Sequence, residues 1–181
     1  MECQKAKVLQ EKADARLASK RIIALNYSFS DISVLLKQLN AKTCCVVADF
    51  ELNAAETELG KSIPLAYKRF LKNCCNGFQL STITVFPITH SGLLKNDLKW
   101  AWNSVSRNNI RKTSPWFDRD AASFDKFFVF GSEGASCYAL PYDEVPGFVW
   151  CWSAGQDVVE ELDYELIDWI QITTERLRNN A

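Results

Sequence analysis

The run Glu56–Gly77, ETELGKSIPLAYKRFLKNCCNG, decides how this chain folds. It contains Gly60-Lys61-Ser62, which matches the end of a phosphate-binding P-loop. That loop requires a glycine five residues before its second glycine, and Ala55 stands there instead. It also requires a strand before it and a helix after it. Leu52, Ala55 and Leu59 recur at helical spacing instead, with Asn53 as a candidate N-cap. Pro64 disfavours helix at Ile63. The order is helix, turn, helix, and the segment is not a P-loop. Gly60 sits where a helix needs a left-handed C-cap, and Pro64 suits the first turn of the next helix. That helix places Leu65, Tyr67, Phe70, Leu71 and Cys74 on one broad face, with Lys68, Arg69 and Lys72 opposite. Asn76-Gly77 ends it, and the Thr-, Val-, Ile- and Phe-rich residues 79–88 read as a strand.

Working outward, residues 4–24 carry Leu9, Ala13 and Leu17 at helical intervals. The stretch DISVLLKQLN predicts a second helix, with Asp31 as N-cap and Val34, Leu35, Leu36 and Leu39 buried. TCCVV, residues 43–47, is too short to assign. Residues 93–109 read as helix with Leu94, Leu98, Ala101, Trp102 and Val105 inward, followed by a loop broken at Pro115. Strands are expected near 126–131, 136–141 and 147–152, and a closing helix from Asp163 to Leu177. The fold class is α+β: an antiparallel twisted sheet of about five to six strands with helices packed on it.

At 181 residues and 48% hydrophobic, the chain suits a single domain, 1–181, with one core. No apolar run approaches the roughly 20 residues that cross a bilayer, so no membrane association is expected. The first 20 residues are charged throughout and lack the apolar stretch of a secretory signal. Seven cysteines are an odd number, and Cys44-Cys45 and Cys74-Cys75 are vicinal pairs, poor candidates for structural disulfides. Free thiols in a reducing cytoplasm fit better.

A near-neutral total charge hides a strong asymmetry. Residues 1–126 carry 19 Lys and Arg against 12 Asp and Glu, whereas residues 127–175 carry ten acids and no Lys or Arg. Among the acids, Asp143, Glu144, Asp157, Glu160, Glu161 and Asp163 lie close to Tyr142, Trp150 and Trp152. Two readings stay open: a solvated acidic surface, or a recognition face for a basic protein partner with aromatic anchors. The aromatic row on the Phe148–Trp152 strand is itself either core or groove. Direct nucleic-acid binding is not expected, because an acidic tract repels phosphate.

Little points to catalysis. The single histidine, His90, cannot assemble a recognisable metal set, and no C-x-x-C occurs, so no metal or cofactor is expected. There is no G-x-S-x-G elbow, and no thiol is singled out as a nucleophile. The glycines of GSEG need no ligand if they form a turn between strands.

The pattern E..LG..IP..Y..FL....NG is carried by Glu56, Leu59, Gly60, Pro64, Tyr67, Phe70, Leu71, Asn76 and Gly77. It resembles the signature of the SUKH superfamily, the group of the yeast Smi/Knr cell-wall regulator and bacterial immunity proteins. Ile63 replaces the usual leucine. A second block, FFVFGSEGASCYAL from Phe127 to Leu140, is similar to the family's strand, Gly-x-x-Gly turn and following strand, which here carries Tyr138. With PGFVWCWSA and a final helix, the resemblance covers about residues 50–172. It leaves residues 1–45 as an N-terminal helical extension and 89–123 as an insertion. The resemblance implies a non-enzymatic binding module, foremost an immunity protein that neutralises a cognate toxin. Many toxins of this kind are nucleases with basic active faces, which an acidic partner can occupy. A Smi/Knr-type regulatory scaffold is the alternative, and an unrecognised enzyme using His90 or a thiol is the remote one.

Overall fold

The structure is a computed structural model that describes residues 27–88, 126–143, 147–153 and 158–179. The helices expected at 4–24 and 93–109, His90 and the loop around Pro115 lie outside the described residues. Ser28 opens helix α1 (Phe29–Gln38) through a capping box. Its hydroxyl accepts from the Asp31 amide at 3.3 Å, and the Asp31 carboxylate accepts from the Ser28 amide at 2.7 Å. The N-cap is therefore Ser28, with Asp31 in the reciprocal position rather than at the cap. Ile32, Leu35 and Leu36 face the core, whereas Val34, expected inside, is 54% exposed.

Helix α2 (Asp49–Leu59) begins four residues before Asn53, and its Glu51 carboxylate accepts from the Ala48 amide at 2.9 Å. Gly60 closes it at φ +66°. Helix α3 (Leu65–Asn73) follows, with Pro64 at the N-cap, just ahead of the first turn. Glu56 spans the turn between these helices. Its Oε1 accepts from the Ile63 amide at 2.7 Å and lies 2.7 Å from the Lys68 ammonium. Tyr67, Phe70 and Leu71 are fully buried, whereas Leu65 is 48% exposed.

Among the described residues a single seven-stranded sheet follows chain order, each strand antiparallel to its predecessor. Its strands are β1 (Lys42–Thr43), β2 (Phe78–Leu80), β3 (Ile83–Val85), β4 (Phe127–Glu133), β5 (Ser136–Pro141), β6 (Phe148–Ser153) and β7 (Val158–Glu165). The strand count exceeds the expected five to six for local reasons. The stretch 79–88 is interrupted by a turn at Ser81, φ +53°, which makes it the hairpin β2–β3. The acid-rich run 158–165 is a strand. The closing helix α4 (Leu166–Asn179) starts only after it, so Asp163 is not helical.

Helices α1, α3 and α4 pack on one side of the sheet. There Tyr67 lies 5.2 Å from the Phe128 ring and 5.8 Å from that of Phe130, while Trp169 of α4 lies 4.6 Å from Tyr138. One apolar cluster joins these residues to Ile32, Leu36, Leu52, Phe78 and Ile170.

Candidate protein-binding edge

Strand β7 pairs with β6 and is the last strand of the sheet among the described residues, so within them its outer hydrogen-bonding groups form an edge. Register sets its side chains. Glu161 lies opposite Trp150 and Glu160 opposite Cys151, so the two glutamates alternate across the pleat. Both are exposed, and so is Glu165 opposite Phe148. The ladder shifts between Phe148 and Trp150, and Asp163 takes φ +57° on the facing strand. This is a β-bulge, which twists the edge and re-aims a side chain. Charge and bulge together are what a protein uses to keep an edge from pairing indiscriminately. Asp143 is exposed at the end of β5, while Glu144 and Asp157 lie outside the described residues.

The aromatic candidates separate. Tyr142 is on the helix side, 6.0 Å from the Phe128 ring, with the Lys61 ammonium 4.8 Å above its own ring. Trp150 is on the opposite side, 5.2 Å from Phe127, and faces Ala139 across β5. Trp152 follows it on that side, paired with Cys137. The pleat therefore does not bring all three rings together.

At the far end of the helix side, Arg176 of α4 grips both carboxylate oxygens of Glu133 at 2.7 and 2.8 Å. The Tyr138 hydroxyl donates to the same carboxylate at 3.2 Å. The cluster ties the last turn of α4 to the β4–β5 turn, and no single sequence motif announces it. Four of the described thiols are shifted upward. Burial raises Cys44 and Cys151, and pushes Cys137 up to about 12. Cys75 is raised by its hydrogen bond with Cys74 and then by burial. Raised thiols stay protonated at neutral pH, the reverse of a nucleophile's requirement. Among the described residues, no group of three or more His, Cys, Asp or Glu is placed to hold a metal ion. Nor is any described helix long and apolar enough to cross a membrane.

The signature residues of the helical hairpin have specific structural tasks. The Tyr67 hydroxyl donates to the Phe86 carbonyl, and buried Asn76 accepts from the Ile88 amide at 2.9 Å. Gly77, at φ +77°, lies so near the chain leaving β3 that a Cβ would sit 2.6 Å from the Val85 carbonyl oxygen. These contacts tie α3 to the β2–β3 hairpin. Residues 47–171 match the family model for the SMI1 / KNR4 family (SUKH-1). The chain belongs to this family. No curated protein sequence matches it. The SUKH-1 match begins at Val47, just before α2, and ends at Gln171 within α4, so it takes in β2–β7 and their helical cover. Helix α1 and β1 precede it.

A closing helix starting at Asp163 would include Glu165, which instead ends β7. Its strand position follows from the bulge, which a count of acids cannot show. Phe50, 74% exposed at the start of α2, went unremarked. An isolated exposed aromatic has no signature beyond a helix start placed too late.

Proposed function

We propose that this SUKH-1 chain is a cytoplasmic immunity protein that binds a basic toxin domain through the acidic edge of its sheet and blocks it without chemistry. The carrying observation is β7: an edge strand with exposed Glu160, Glu161 and Glu165, in a region that holds ten acids and no Lys or Arg from 127 to 175. A single-sign edge attracts a cationic surface and disfavours anionic competitors. A nuclease needs a basic face for its substrate's phosphates, so occupation of that face excludes substrate. Asp143, and Glu144 and Asp157 beyond the described residues, extend the proposed contact.

Affinity capture on the immobilised chain, eluted by a salt gradient, tests the reading. The expected result is one dominant basic partner released as salt screens the charges. With that partner in hand, the triple change Glu160→Lys, Glu161→Lys, Glu165→Lys should weaken binding by about 100-fold and flatten its salt dependence. Unchanged affinity and salt slope in a folded triple variant would remove the acidic-edge assignment. Several partners of mixed charge, retained through the gradient, would favour the Smi/Knr-type scaffold.

A further inference from the structure

Two vicinal thiol pairs, Cys44-Cys45 and Cys74-Cys75, lie far apart in the chain and meet in the fold. The first pair sits in the connector from β1 to α2, and the second in the connector from α3 to β2. Backbone hydrogen bonds hold the two connectors side by side and antiparallel. Thr43 pairs with Phe78, the Asn76 amide donates to the Cys45 carbonyl at 3.1 Å, and the Val47 amide donates to the Leu71 carbonyl at 3.0 Å. Cys44 therefore stands between two anchored residues, Thr43 and Cys45, while Cys75 adjoins anchored Asn76 on the facing segment.

Burial divides the four thiols. Cys74 and Cys75 are 7% and 3% exposed, Cys44 is half-buried, and Cys45 is exposed. The Cys75 thiol hydrogen-bonds Cys74, and Cys44 lies near enough to act on it electrostatically from the opposite connector. No set of three metal ligands forms among the described residues. Burial keeps the Cys44 thiol protonated, which removes it as a fast nucleophile. The chemistry left to two neighbouring thiols, one of them reachable from solvent, is slow oxidation to a disulfide.

We propose that Cys44 and Cys75 form a reversible disulfide when the chain meets an oxidising small-molecule disulfide of the glutathione class. Cys44 gives its proton to water and attacks one sulfur of the small molecule, whose S–S bond breaks. One half stays on Cys44 as a mixed disulfide, and the other leaves as a thiolate and takes up a proton. Cys75 then gives up its proton and attacks the Cys44 sulfur, expelling the second half as a thiol. The two protein thiols are oxidised to one disulfide, and the small disulfide is reduced to two thiols. Thiols that hold their protons attack slowly and, once joined, leave slowly, so the bond is a durable latch and not a rapid sensor. It closes a loop around α2 and α3 and pins the β1 connector to the end of α3. The latch belongs to the helical hairpin and not to the acidic edge, so it stands or falls separately from the proposed function.

Incubation of the reduced full chain with glutathione disulfide, then alkylation and isolation of the monomer, tests this. Trypsin cleavage after Lys42, Lys61 and Lys72 leaves the two thiol pairs on separate peptides. The expected product is these two peptides joined. Collisional fragmentation between Cys44 and Cys45, and between Cys74 and Cys75, should place the bond on Cys44 and Cys75. That linkage should exceed every other protein disulfide by about tenfold or more, and oxidation in guanidinium should erase the preference. A bond within either vicinal pair, a bond through Cys45 or Cys74, or glutathione adducts alone overturns the proposal. The oxidised chain should melt about 5 °C or more above the reduced one, and dithiothreitol should reverse the shift. Cys44→Ser, at a half-buried position, should abolish both the linked peptides and the shift, and a shift that survives in this variant refutes the latch.

Discussion

Gly60 and Gly77 both sit at positive φ, +66° and +77°, yet they meet different demands. At Gly60 an added Cβ meets nothing within 4 Å, so only the left-handed backbone would resist it. At Gly77 a Cβ would meet the Val85 oxygen at 2.6 Å and the Pro87 nitrogen at 2.7 Å, both backbone atoms that cannot swing aside. Gly60→Ala should therefore cost about 1 kcal/mol, and Gly77→Ala on the order of 3 kcal/mol or more. Urea denaturation of the two variants checks the order, and equal losses would contradict it. The helix stop was legible at Gly60, whereas α3 ends at Asn73 with Cys74 as its C-cap, ahead of the expected stop at Asn76-Gly77. The close approach at Gly77 was not legible, because Val85 and Pro87 return to it only after the β2–β3 hairpin forms. Asn76 has the same history. It reads as a stop signal, while its side chain serves the Ile88 amide across the hairpin.

Among the elements, α2 and α3 were the most legible, because capping and amphipathic spacing are local. Glu56 adds a connection that spacing alone does not explain. Its carboxylate accepts from the Ile63 amide and pairs with Lys68, both ahead of it in the chain. Glu56→Ala should cost about 1–2 kcal/mol by leaving a donor at the start of α3 without its acceptor. Glu56→Gln should recover part of that loss, since an amide oxygen still accepts. Thermal melts of both variants against the parent test this, and identical melts for Ala and Gln would show that the carboxyl oxygen's bond to Ile63 carries no weight. Strand β7 was the least legible element. Glu160, Glu161 and Leu162 are good helix formers, and the bulge at Asp163 breaks the alternation that marks a strand. Only pairing with β6 settles its conformation, and pairing is not written in the eight residues themselves.

At the scale of the molecule, periodicity carried the α+β class but not the strand count, because β1–β3 are each two or three residues long. What it left open was the allocation of the acids and aromatics between the two sides of the sheet, which depends on register at β5, β6 and β7. Helix α4 binds the whole together. It packs on β6 and β7, meets α1 and α3, and anchors to the β4–β5 turn through Arg176 and Glu133. Removing residues 166–181 should leave a chain with strand signal in far-UV circular dichroism but no cooperative melt. A sharp melting transition in that truncation would show that the meander stands without its last helix. The strictly sequential strand order has a further consequence for synthesis. A nascent chain can add each strand to the one just made, so the sheet can grow in the direction of translation. The part of the apolar side that α4 covers, around Tyr138 and Phe130, stays open until that final helix emerges and reaches back to α1. Until then, the growing chain would offer chaperones an exposed aromatic surface.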